Sequence, residues 1–252
     1  MMMQSALRAG ALAALAISTL CAPSLVKAGP SDYVLTPIVE EGEREIDFKA
    51  GTAKSRDGER ESKYSLGFGW GVNSRWFSEF YVLWHKEAGE KFGFDAWEWE
   101  NKFQLTETGK YPVDLGFLLE IERPKDRSEG YELRWGPLLQ ADLSSSLQAN
   151  LNLLWGKHVR VSEGQGTQLS YQWQLKQRWQ PELEYGLQGF GELGAWRHWA
   201  PAAEQSHVAG PALFGKVRVG AHQAIKYNAG LLFGLNQASP RTTLRLQAEY
   251  EF

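Results

Sequence analysis

Residues 167 to 178 read TQLSYQWQLKQR, and the order of these residues says more than their composition. Thr167, Leu169, Tyr171, Trp173 and Leu175 alternate with Gln168, Ser170, Gln172, Gln174 and Lys176. Successive side chains of an extended chain point to opposite faces, so a period of two makes one face apolar and the other wet. The pattern returns at 113 to 122, where Val113, Leu115, Phe117, Leu119 and Ile121 stand against Asp114, Glu120 and Glu122. It returns again where Leu147, Ala149, Leu151, Leu153 and Trp155 oppose Gln148, Asn150 and Asn152.

Working outward, the alternation predicts twelve strands near 43–53, 63–71, 75–86, 94–105, 113–122, 130–141, 147–157, 167–178, 182–195, 207–219, 224–235 and 242–252. Most run about ten residues, the length a tilted strand needs to cross a bilayer. Strands of soluble sheets are typically about five or six. Connections such as 72–74, 142–146, 179–181 and 220–223 are short, whereas 54–62, 123–129, 158–166 and 196–206 are longer and mostly more polar. The connection at 106–112 is longer than this alternation wants. The expected fold is all-β: a single closed, antiparallel, up-and-down transmembrane barrel.

Composition agrees once the two faces are separated. Mean hydropathy is polar at -0.41, yet the chain carries eleven Trp, nine Tyr and twelve Phe beside 26 Gly. A barrel with a wet interior keeps a low average hydropathy while presenting an apolar belt. Trp70, Trp76, Trp84, Tyr111, Tyr131, Trp155, Trp179 and Tyr250 fall at strand ends, as girdles at two membrane interfaces require. A net charge of -3 is no footprint for nucleic acid.

The start of the chain is an export signal by pattern: Arg8, an apolar run from Ala9 to Leu20, and Val26-Lys27-Ala28 before a cleavage point. The expected division is a signal peptide over 1–28, a periplasmic N-terminal tail over 29–42 and the barrel over 43–252. The tail holds Pro30, Pro37 and several acids, and a partial plug is the alternative for it. Cys21 is the chain's one cysteine and lies in the signal, so thiol chemistry drops out. Lipidation there is disfavoured by Leu20, where a small residue is needed.

The last strand carries a family resemblance. Leu244, Leu246, Ala248, Tyr250 and Phe252 alternate with Arg245, Gln247, Glu249 and Glu251, and Phe252 ends the chain. This resembles the C-terminal signature of Gram-negative outer-membrane β-barrels, the porin-like superfamily. The resemblance implies that Tyr250 and Phe252 serve as an assembly signal for the barrel-assembly machinery. It also implies location in the outer membrane among its lipids. The chain is loosely similar to twelve-stranded channels such as the oligogalacturonate-specific porin family, which implies passive passage of small polar solutes.

The predicted wet face supplies the candidate site. With simple hairpins, Glu79 comes near Glu98, Glu98 opposite Glu120 and Glu120 opposite Glu132, with Glu100 on the same face. Opposed like charges are unfavourable and need cations or a ligand to offset them. The row therefore points to cation preference, as charged rings do in channels. The competing reading is structural, with Lys102 and Arg134 reaching the carboxylates diagonally. Farther on, Lys176 faces Glu184 and Arg178 faces Glu182. The wall of Gln148, Asn150, Asn152, Gln168, Gln172, Gln174 and Gln188 either solvates the lumen or hydrogen-bonds a sugar.

Two other function classes compete with a channel. An outer-membrane lipid hydrolase needs Ser and His within reach of each other, and none of His85, His158, His198, His207 or His222 has a Ser two residues away. No catalytic residue, cofactor or metal framework is expected; His198, Glu204 and His207 match no ligand spacing. Trp196 to Trp199 reads as an interfacial anchor. The third class is a plugged barrel with a structural or docking role.

Overall fold

The computed structural model describes residues 29–161 and 166–252. The predicted signal at 1–28, Cys21 included, lies outside the described residues, as does 162–165 of one long connection. All twelve predicted strands are present. They are β1 (Arg44–Lys54), β2 (Arg60–Asn73), β3 (Trp76–Lys86), β4 (Gly93–Gln104), β5 (Asp114–Pro124), β6 (Tyr131–Asp142), β7 (Leu147–Val159), β8 (Gln168–Gln180) and β9 (Leu183–Ala195), then β11 (Ser206–Arg218), β12 (Ala224–Gly234) and β13 (Thr242–Glu251). The two-residue β10 (His198–Trp199) only folds back on the end of β9.

Every long strand pairs antiparallel with its sequence neighbour, β9 pairs with β11 across the β10 turn, and β13 pairs with β1 from Glu251↔Glu45 to Thr242↔Lys54. The ring is thus closed without an edge. In hydrocarbon each unpaired backbone group costs several kcal/mol, so closure is what makes a membrane-spanning sheet possible. The turns 74–75, 143–146 and 181–182 sit at the end that also holds the start of β1 and the end of β13. The connections 125–130, 196–205 and 235–241 sit at the other. These are called the turn end and the loop end below.

The pattern of burial is inside out. Among the described residues, 24 polar or charged residues are buried against 14 hydrophobic ones. Ile46, Phe48, Phe68, Phe80, Trp97, Trp99, Leu187, Leu231, Leu244 and Leu246 are exposed on the outer face. Such an apolar patch has no place in water and fits a lipid surface. The two buried polar groups on that face are satisfied by indoles. Trp99 Nε1 donates to Ser78 Oγ at 2.9 Å, and Trp76 Nε1 to Asn101 Oδ1 at 3.0 Å. Tyr250 and Phe252 stack at 5.6 Å beside the closing strand.

Candidate functional site

The lumen is lined by the inward residues of each strand, and two circumferential rows of charge emerge from the strand register. One runs Glu45, Gly69, Glu79, Glu100, Glu120, Arg134 from β1 to β6. The other runs Asp47, Gly67, Tyr81, Glu98, Glu122, Glu132, His158 from β1 to β7. The row expected from the sequence is therefore displaced by two residues along each hairpin. Glu79 faces Glu100 instead of Glu98, Glu98 faces Glu122 instead of Glu120, and Glu120 faces Arg134 instead of Glu132. A shift of two keeps every side chain on its face, so the carboxylates still converge: oxygens of Glu98, Glu100 and Glu120 lie within 4.8 Å of one another.

Of the two cations expected to offset them, Arg134 meets a carboxylate and Lys102 has another neighbour. Arg134 grips Glu120 directly, Nε at 3.0 Å and Nη2 at 2.6 Å from one carboxylate oxygen. Lys102, expected to help, lies over the Phe77 ring at 5.0 Å. Its place is taken by Lys49 of β1, 3.5 Å from Asp47 and held over the rings of Tyr81 at 3.7 Å and Tyr33 at 4.0 Å. Tyr81 Oη donates to Asp47 Oδ2 at 2.8 Å. Farther round, Lys176 meets Glu184 at 3.2 Å as expected, but Arg178 meets Asp142 at 2.8 Å instead of Glu182.

At the turn end, Lys226 gathers Glu43 at 3.2 Å, Glu249 at 2.7 Å and Glu251, which Lys216 also holds at 2.6 Å. Glu43 lies just before β1. Burial pushes its carboxyl up to about 7, against the pull of the Lys226 ammonium and with a further push from Glu251.

The segment expected as a periplasmic tail lies inside the ring. Gly29 sits beside Lys63 at the loop end, and Gly42 donates to Gly71 O at the turn end, so residues 29–42 run the length of the lumen. Two wall glycines admit its backbone: a Cβ on Gly51 would lie 2.0 Å from Pro30 O, and one on Gly71 would lie 1.9 Å from Glu40 O. Asp32 Oδ2 accepts from Arg134 Nη1 at 3.0 Å. Asn152 Nδ2 donates to Leu35 O at 3.1 Å, and Gln104 Oε1 accepts from Val39 N at 2.7 Å. Leu35 packs with Leu118, Leu138 and Leu154, while Val34 packs the opposite way with Phe190 and Leu232. Each such burial contributes roughly 1.5–3 kcal/mol. Pro30 and Pro37 provide no N–H that would need a partner there.

This segment divides the interior. On the loop side lie a cavity of about 700 Å3, bordered by Arg56, Arg60, Glu192 and Arg245, and one of about 350 Å3, bordered by Glu98, Glu122, Glu132 and His158. On the turn side lies one of about 470 Å3, bordered by Glu79, Glu100, Lys176 and Lys226. Tyr33 and Leu35 wall both of the last two. Sequence reasoning did not place Asp32, Tyr33 or Leu35 in the site. The available signal was glycine inside a strand pattern, which marks close approach of another backbone.

Three of the imidazoles are engaged with groups other than serine. Tyr171 Oη and Gln205 Oε1 hold the two nitrogens of His207 at 2.9 and 3.0 Å, His85 faces Glu61 at 3.2 Å and His158 faces Glu132 at 3.7 Å. His207 bonds Ser239 through its backbone alone.

No protein-family model matches the chain, and no curated protein matches it. Among solved structures, the KdgM porin in complex with disordered oligogalacturonate aligns over 82% of this chain and 99% of that one, with TM-score 0.54 and 10% identity. An outer membrane channel from Pseudomonas putida F1 aligns over 90% of this chain and 100% of that one, with TM-score 0.55 and 11% identity. At that identity the likeness concerns architecture: the chain has a closed, antiparallel, up-and-down twelve-stranded barrel fold, shared with these outer-membrane barrels.

Proposed function

We propose that the chain is an outer-membrane channel for small polar solutes with a preference for cations, and no enzyme. The observation that carries this is the charged lumen, in which Glu98, Glu100 and Glu120 converge between cavities on either side of the waist. Carboxylates lining a constriction lower the energy of a passing cation and raise that of an anion. Twelve strands enclose more than the side-chain-filled interior of eight and less than the open channel of sixteen, which suits a narrow path. The two aligned structures are named as a porin and a channel, which favours transport over hydrolysis. On this reading the outer surface meets outer-membrane lipid, the solute is the partner of the lumen, and Tyr250 with Phe252 forms the assembly signal.

The test is Glu98→Gln with Glu122→Gln, a pair directly opposed across β4 and β5 that leaves Glu120 on Arg134. Reversal potentials in planar bilayers, for the whole chain and for a chain lacking residues 30–40, report the cation-to-anion permeability ratio. The ratio is expected to fall in the double variant. An unchanged ratio would remove the acidic wall from selectivity.

A further inference from the structure

We infer that residues 30–40 are the stopper of this channel, and that solute passes only when the segment leaves the waist of the barrel. The inference rests on the channel reading above and adds its regulation. Three independent features carry it.

The first is occlusion. Tyr81, Leu118, Leu138, Leu154, Asn152 and Gln188 have no exposure at all. These are inward residues of a structure whose lumen should be wet. Leu35 packs on Leu118, Leu138 and Leu154 and its carbonyl takes the Asn152 amide, while Val34 packs on Phe190 and Leu232.

The second is seating. The wall is shaped for an extended backbone, with Gly51 and Gly71 leaving room for Pro30 and Glu40 near its two ends. Asn152 and Gln104 meet one carbonyl and one N–H of the segment as hydrogen-bond partners. Loose filling would show neither.

The third is reversibility. Residues 33–36 and 38–40 belong to no sheet ladder, so leaving the lumen breaks a few side-chain contacts and no strand pairing. The strongest of those contacts is Asp32 on Arg134, and Arg134 keeps Glu120 when Asp32 departs. The cation is therefore never stranded, and the cost of opening stays small beside that of breaking the barrel. Tyr33 leaves the Lys49 ammonium in the same way, since Tyr81 and Asp47 remain with it.

The experiment compares refolded chains produced from residue 29 onward in planar bilayers, with folding checked by heat-modifiable migration on gels. The whole chain should show no steady open level. A chain lacking residues 30–40 should show one, and so should Gly51→Leu, which keeps the segment but fills the space its backbone takes. Asp32→Asn should raise the frequency of brief openings about tenfold, equivalent to ~1.4 kcal/mol.

Seating is read separately from current. Leu35→Cys would be the one thiol of this chain, because Cys21 precedes residue 29. It should react with a bulky maleimide far more slowly than Ser145→Cys in the exposed turn at the end of β6. Equal labelling of the two, or equal steady conductance of the whole and shortened chains, overturns the stopper while leaving the channel reading intact. A shortened chain that folds and passes no current overturns the channel reading, and the stopper with it.

Discussion

Two walls of the same lumen satisfy their polar groups by different means. On β6 to β9 the amides pair with their immediate neighbours: Asn150 Nδ2 on Gln140 Oε1 at 3.0 Å, Asn152 Nδ2 on Gln172 Oε1 at 3.1 Å and Gln188 Nε2 on Gln174 Oε1 at 2.8 Å. An amide both donates and accepts, so adjacent copies satisfy one another. On β3 to β6 the neighbours are carboxylates, which when ionised only accept. Their donors are cations: Arg134, directly opposite Glu120 on β6, and Lys49 from β1. The neutral wall pairs amide with amide and leaves Asn150 Oδ1, Asn152 Oδ1 and Gln188 Oε1 without a protein donor, whereas the acidic wall draws on the cations Arg134 and Lys49.

The largest test of that contrast is Arg134→Met. Removing one partner of a buried charge pair leaves the other uncompensated and typically costs about 3–5 kcal/mol. The unfolding free energy from urea titration in detergent should fall by about 3 kcal/mol, and adding Glu120→Gln should restore much of it. A loss below ~1 kcal/mol would mean the acidic wall does not depend on Arg134.

A smaller effect is expected opposite. Gln188→Leu alone takes the donor from Gln174 Oε1 and should cost about 1–3 kcal/mol, while Gln174→Leu with Gln188→Leu together should be nearly neutral. The same titration reads both variants. A double variant worse than the single would show that this wall depends on more than its neighbour pairs.

The smallest test concerns the turn end, where Glu43 sits with Glu249, Glu251 and Lys226. Its carboxyl is raised from 4.5 to about 7 by burial, with Lys226 pulling it down and Glu251 pushing it up. Between those values the folded protein holds a proton that the unfolded chain has released. Stability should therefore fall as pH rises across that window. Glu43→Gln should flatten this part of the profile, measured as urea midpoint against pH; an unaltered slope would assign the dependence to other carboxylates.

The strands were legible because a period of two states which face each residue takes. The same periodicity is silent on register, since a slip of two leaves every face unchanged. That is why Glu120 was assigned to Glu132 and found on Arg134. Irregularities at Leu83/Trp84 and Gly71/Asn73 further displace the hairpins from their simple midpoints. Long-range cations were illegible for another reason: Lys49 of β1 meets Tyr81 of β3 and Tyr33 of the segment before β1, a grouping of distant residues that strand periodicity does not encode. Residues 29–42 carry no periodicity, and what seats them is the lining of other strands.

The threading of residues 29–42 through a sealed ring also constrains the order of biogenesis. Once β1 has zipped to β13, the passage is bounded on all sides and its waist is lined by Leu118, Leu138 and Leu154. A segment laid along the nascent sheet is captured by that final zipping, whereas one left outside must afterwards be drawn in lengthwise from the turn end. The seam between first and last strands is therefore also the door through which the segment preceding β1 is admitted.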